Sequence, residues 1–139
     1  MVRSGSAKPD ISTVDKLKQV LLRADSVAFS KVGTGIAFAK IVERLGIADQ
    51  IKAVRGTPAE ITAHLLQGTG SDIGVGTIAL ILADKRMALA GALLDDVQSY
   101  LLYVAAPTSH PWEAEAARTL VNHLNLPQTK TQFATTGAM

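Results

Sequence analysis

Apolar positions along the chain fall into two periods that alternate. Residues 27–29 are a continuous apolar run too short for a helix, whereas Phe38, Ile41, Val42 and Leu45 fall at i, i+3, i+4 and i+7, a single helical stripe. The period changes at Lys31-Val32-Gly33-Thr34-Gly35, so this stretch reads as a short buried strand, a tight turn and a helix. Thr34 is the expected helix cap, and the N–H groups of Gly35, Ile36 and Ala37 are expected to be free at the strand's carboxyl end, an anion-binding arrangement. A capping residue and a glycine also occur at ordinary strand-to-helix turns, so a purely structural role stays open. The stricter phosphate motifs are absent: Phe38 stands where a dinucleotide fingerprint needs a small residue, and no Gly-Lys-Ser/Thr follows the turn.

The same rhythm recurs twice. Before the first strand, Ser12 or Thr13 caps a helix with Val14, Leu17, Val20 and Leu21 on one face. After Gly46 ends the central helix, residues 51–55 read as a second strand. Thr57-Pro58-Ala59-Glu60 then supplies a complete capping box with proline at the first helical position. That helix carries Ile61 and Leu65 and is expected to stop at Gly68 in a left-handed conformation. Residues 71–76 read as a third strand, and Thr77 caps a helix over 78–83. Strand, turn and threonine-capped helix in succession predict a doubly wound α/β sheet with a three-layer αβα architecture. In such a sheet ligands sit beyond the carboxyl ends of the strands, where the partial positive charge of several helix starts can hold a small anion.

Further strands are predicted over 87–94 and 98–106, the latter rich in Tyr, Leu and Val. Pro111 opens a helix with Ala117, Leu120, Val121 and Leu124 on one stripe, and a weaker helix over 128–136 ends at Gly137. At 139 residues the chain is read as a single domain over 1–139, divided into a lobe with a crossing strand at 8–106 and carboxyl-terminal helices at 107–139.

Composition narrows the chemistry. There is no cysteine, which excludes disulfides, thiolate metal sites and cysteine nucleophiles. The net charge of +2 arises from scattered Lys and Arg, and with one Trp, two Tyr and three Phe there is little to stack on bases, so nucleic acid is not an expected partner. No apolar run reaches the ~20 residues of a membrane span, and residues 1–8 contain no apolar core of a secretion signal. His64, His110 and His123 lack metal-ligand spacing, and no Ser, His and acid are placed locally as a triad. Asp95 and Asp96 are read as a solvated turn, and Trp112 as a packing or interface residue in the first turn of a helix. No cofactor and no enzymatic activity are expected on this reading.

The ordered segments Lys8-Pro9-Asp10-Ile11-Ser12-Thr13, Leu21-Leu22-Arg23-Ala24-Asp25-Ser26-Val27-Ala28-Phe29-Ser30, Gly33-Thr34-Gly35-Ile36, Glu43-Arg44-Leu45-Gly46-Ile47-Ala48 and Gly68 through Asp72-Ile73-Gly74-Val75 carry a resemblance that spans almost the whole chain. Together they make it resemble the molybdate-type solute-binding proteins of bacterial ABC transporters, which have the type II periplasmic binding protein fold. The resemblance implies a non-catalytic, two-lobed clamp that closes on an oxyanion through hydrogen bonds. Its contacts match the backbone N–H groups at Thr34 and Ala59 and the side chain of Thr77, beside the free N–H expected at Gly35. Thr77 stands where molybdate binders have a longer tyrosine, which argues against molybdate itself. The chain begins where the family crosses into its second lobe, so the opening part of the first lobe is missing. Self-association into a homodimer or higher oligomer is therefore expected, with 98–106 or the terminal helices exchanged between copies. The resemblance implies a periplasmic location, the chain taken as complete implies a cytoplasmic one, and a permease partner stays open. The alternative is a truncated lobe that has lost its ligand and serves as an oligomeric structural protein.

Overall fold

The computed structural model describes residues 1–109 and 112–137. In chain order the elements are β1 (Val2–Arg3), α1 (Val14–Arg23), β2 (Val27–Ser30), α2 (Thr34–Arg44), β3 (Ala53–Gly56), α3 (Pro58–Gln67), β4 (Ile73–Val75), α4 (Ile78–Ala83), β5 (Met87–Ala88), a 3-10 turn (Asp95–Val97), α5 (Ala114–Leu124) and α6 (Pro127–Thr135). They form two compact units, Met1–Tyr100 and Leu101–Met139.

In the first unit β3, β2 and β4 lie side by side, all parallel, with β2 central. Every residue of β2 is buried, as a central strand covered on both faces requires. Alternation along the strands sorts the core. Val27, Phe29 and Ile73 pack with Leu17 and Leu21 of α1 and with Phe38, Ile41 and Val42 of α2. On the other face Ala28 packs with Ile61 and Leu65 of α3, Ile81 of α4 and Met87. Helices thus cover both faces of the sheet, giving the α/β, three-layer architecture that the sequence predicts. The Phe29 and Phe38 rings meet edge to face, with centroids 5.0 Å apart, locking α2 onto the central strand. β1 and β5 form a separate antiparallel ribbon, pairing Val2 with Ala88 and Arg3 with Met87.

Helix starts and stops follow local chemistry. Thr13 Oγ1 accepts from the Lys16 N–H to cap α1, and both halves of the Thr57–Glu60 capping box close at α3. Gly46, at φ 68°, turns the chain out of α2. Gly68 behaves differently from expectation: it leaves α3 in an extended conformation, φ −63°, and its lack of a side chain makes room for the Asp72 carboxylate.

The strand expected over 87–94 is confined to Met87–Ala88, and no strand forms over 98–106. Strand propensity describes a fit to a pleated, half-buried surface, and no neighbouring strand among the described residues supplies one here. Tyr100, Leu102 and Val104 are 67%, 88% and 84% exposed. In the second unit, α5 and α6 follow in close succession; Ala117, Val121 and Leu124 are half-buried and Leu120 is exposed. Trp112 precedes α5 rather than lying in its first turn, and is fully exposed. His110 and Pro111 lie outside the described residues. No helix among the described residues is long and apolar enough to cross a membrane.

Candidate functional site

The register of the parallel sheet sets the site's frame. Ser30, the last residue of β2, pairs with Gly56, the last of β3, and Phe29 pairs with Val75, the last of β4. The chain reversals into α2, α3 and α4 therefore leave from one rim, the carboxyl rim.

At α2 the geometry differs from the sequence expectation. Gly33 is the cap, at φ 55° and ψ −118°, and Thr34 is the first helical residue, with no side-chain capping bond. The positive φ is the reason a glycine stands there. Gly35 is pressed onto the end of β2, where a Cβ would overlap the Ser30 carbonyl. Its N–H donates to the Val32 carbonyl at 3.1 Å, and those of Ile36 and Ala37 donate to the Gly33 carbonyl at 3.1 and 3.3 Å. The N–H groups of Gly35, Ile36 and Ala37, expected to be free, are thus spent in a tight turn. Thr34 is half-buried, and its N–H has no partner among the described residues.

At α3 the capping box leaves a single donor over. Thr57 N–H donates to Glu60 Oε2 at 2.7 Å, Glu60 N–H to Thr57 Oγ1 at 3.3 Å, and Ile61 N–H to the Thr57 carbonyl at 3.0 Å. Pro58 has no N–H, so in this turn the exposed Ala59 keeps one without a partner among the described residues. At α4 the half-buried Thr77 is the cap residue, but its hydroxyl accepts no capping bond. Lys31 follows β2 on this rim, its N–H donating to the Gly56 carbonyl at 3.3 Å. Hydrogen bonds from Thr57, and secondarily the Lys31 charge, hold the Glu60 carboxyl below its usual range. Lys31 is visible in the sequence as a cation beside the glycine turn, but nothing local marks it as part of a site. Val32 and Ile36, beside this turn, are 68% and 48% exposed.

A family model for bacterial extracellular solute-binding proteins matches residues 1–138. The chain belongs to this family. It is also similar to a Pseudomonas sp. protein named aconitate isomerase, 32% identical over 125 residues that make up 88% of this chain and 48% of the relative. The chain thus spans about half the length of the curated relative it matches. No solved structure matches significantly.

The expectation of no enzymatic activity is overturned by this similarity, because the relative carries the name of an isomerase. That expectation rests on missing local motifs, and a site built from residues far apart in sequence leaves none to find.

The structure also gathers a polar cluster that the sequence does not announce, at the opposite, amino rim. Ser26 Oγ lies 2.5 Å from Asp72 Oδ1 and 2.7 Å from His64 Nε2, with Nε2 3.9 Å from the carboxylate. The hydroxyl has one proton, which goes to the carboxylate, so the imidazole donates to Oγ from Nε2–H. An imidazole that donates to the serine is not its base, and Ser26 is only 6% exposed. The cluster joins β2, α3 and β4 rather than activating a nucleophile. No group of three metal-ligating side chains occurs among the described residues.

Proposed function

We propose that the chain is one lobe of a solute-binding clamp that takes a small carboxylate anion of the aconitate class at the carboxyl rim. Carboxylate oxygens accept from the Thr34 and Ala59 N–H groups, the Thr77 hydroxyl supplies a further contact, and Gly35 keeps the turn close enough for Thr34 to face the ligand. The observation that carries this reading is the pair of N–H groups, without partners among the described residues, on helices leaving adjacent, hydrogen-bonded strands. Lys31 adds charge to a site otherwise built from neutral donors. The relative's name favours a polycarboxylate over molybdate, which also fits the short side chain of Thr77.

An oxyanion gripped by one lobe is open to water on its other side, so a second wall is needed for tight binding. We assign that wall to another polypeptide segment or to a second copy of the chain. The test is a thermal-shift series with cis-aconitate, trans-aconitate, citrate, molybdate and sulfate, followed by an assay for interconversion of the aconitates. A rise in melting temperature with the tricarboxylates supports the reading, while a rise with molybdate alone, or with none of them, refutes it.

A further inference from the structure

At the amino rim a cavity of about 380 Å³ opens between the segment around β1, the last turns of α1 and the chain from Gly68 to Ile73. Its volume falls within the range that encloses a small organic molecule. The walls are mainly aliphatic, formed by Val2, Leu65 and Ile73, each buried in the fold. Its charged groups are not equivalent. Arg3 is committed, donating from Nη1 to the Gly68 carbonyl at 2.8 Å, and the Asp72 carboxylate is held by Ser26. Arg23, in the last turn of α1, has no hydrogen-bond or ion-pair partner among the described residues.

We infer that this cavity binds a monocarboxylate with a short aliphatic body, its carboxylate held by Arg23 and its hydrocarbon by Val2, Leu65 and Ile73. A free guanidinium offers paired donors that match a carboxylate, and the aliphatic walls reward the removal of a hydrocarbon chain from water. Asp72 sets the selectivity. Its carboxylate, lining the same cavity, opposes a second carboxylate on the ligand, so dicarboxylates are rejected here, in contrast to the polycarboxylate proposed for the carboxyl rim.

The experiment is an amide-resolved NMR titration of the chain with hexanoate, beside hexanol and adipate. Hexanoate should give saturable shifts at residues lining the cavity, and hexanol and adipate should each bind about tenfold more weakly. Arg23→Gln, at an exposed position, should weaken hexanoate about tenfold and leave hexanol unchanged. Ala7→Trp, on the exposed loop bordering the cavity, should abolish hexanoate binding without lowering the melting temperature. Ala59→Asp should leave hexanoate binding intact, which separates this site from the one proposed at the other rim. Shifts that stay linear to the solubility limit, equal binding of hexanol, or an Arg23→Gln variant that binds as the parent would each overturn the assignment.

Discussion

Ser26 donates its hydroxyl proton to Asp72 Oδ1 at 2.5 Å while the same oxygen accepts from His64 Nε2 at 2.7 Å. One buried oxygen therefore ties the start of β2 to the approach to β4 and to the last turns of α3. Ser26→Ala removes the shared centre and leaves Asp72, only 12% exposed at its side chain, without that donor. The expected cost is about 1–3 kcal/mol, the usual penalty for stranding a buried polar partner. Urea denaturation measures it, and a loss under about 0.5 kcal/mol, the level of ordinary surface substitutions, would show that the cluster is incidental.

Gly35→Ala sets two effects of opposite sign against each other. Helix propensity alone favours alanine by about 1 kcal/mol. Against it, the new methyl overlaps the Ser30 carbonyl, a backbone group that cannot retreat without disturbing the pairing of Ser30 with Gly56. Overpacking of this kind costs about 1–3 kcal/mol or more, so the net change is destabilising. A melting temperature equal to or above that of the parent would mean that α2 can lift off the strand end.

The contrast between these two sites explains what was legible in the sequence. The Thr57–Glu60 box was read in full because all its chemistry lies within four residues, and the stripe of Phe38, Ile41 and Val42 because helical period and burial coincide. Ser26, His64 and Asp72 escaped because their spacings of 38 and 46 residues carry no local pattern; only the parallel register brings them together. Thr34 was displaced from the cap by Gly33, whose positive φ is set by the tight return over Ser30. At 98–106 the sequence is apolar and β-prone and predicts a strand that does not form, because a strand also needs a partner edge, which is a property of the assembled chain. The kinship with an isomerase lay beyond local motifs altogether.

Acid should weaken the fold in a way traceable to Asp25. Its carboxylate accepts from the Ser71 N–H at 2.8 Å and from Ser71 Oγ at 3.1 Å, and these bonds lower its pKa. Because the folded value lies below the unfolded one, the carboxylate contributes stability above about pH 4 and loses that contribution as pH falls through the folded value. Asp25→Asn removes the titration. The stability difference between parent and variant should therefore shrink as pH is lowered from about 6 to about 2, read as melting temperature against pH. Parallel profiles would exclude Asp25 as a source of acid sensitivity.

The stretch Leu101, Leu102, Tyr103 and Val104 exposes 50–88% of each residue and has no backbone hydrogen-bond partner among the described residues. Contiguous apolar, β-prone chain of this kind favours association with another copy. Light scattering should give a mass above that of one chain, and a Leu102→Lys, Val104→Lys double variant should shift it toward the monomer. A parent that stays monomeric at high concentration contradicts this expectation.

Ala59→Asp is the most direct test of the carboxyl rim, because its effects on fold and on ligand have opposite signs. A carboxylate in the first turn of α3 interacts favourably with the helix dipole, by about 0.3–1 kcal/mol, so the melting temperature should hold or rise. The same charge stands in front of the one N–H that the capping box leaves free. An incoming carboxylate then meets repulsion where it needs a donor, and the thermal shift produced by aconitate should vanish. Ala59→Ser, which keeps both the N–H and neutrality, should retain the shift. Loss of the response in both variants would point to general damage at the turn, whereas a response surviving Ala59→Asp would place the anion somewhere other than the start of α3.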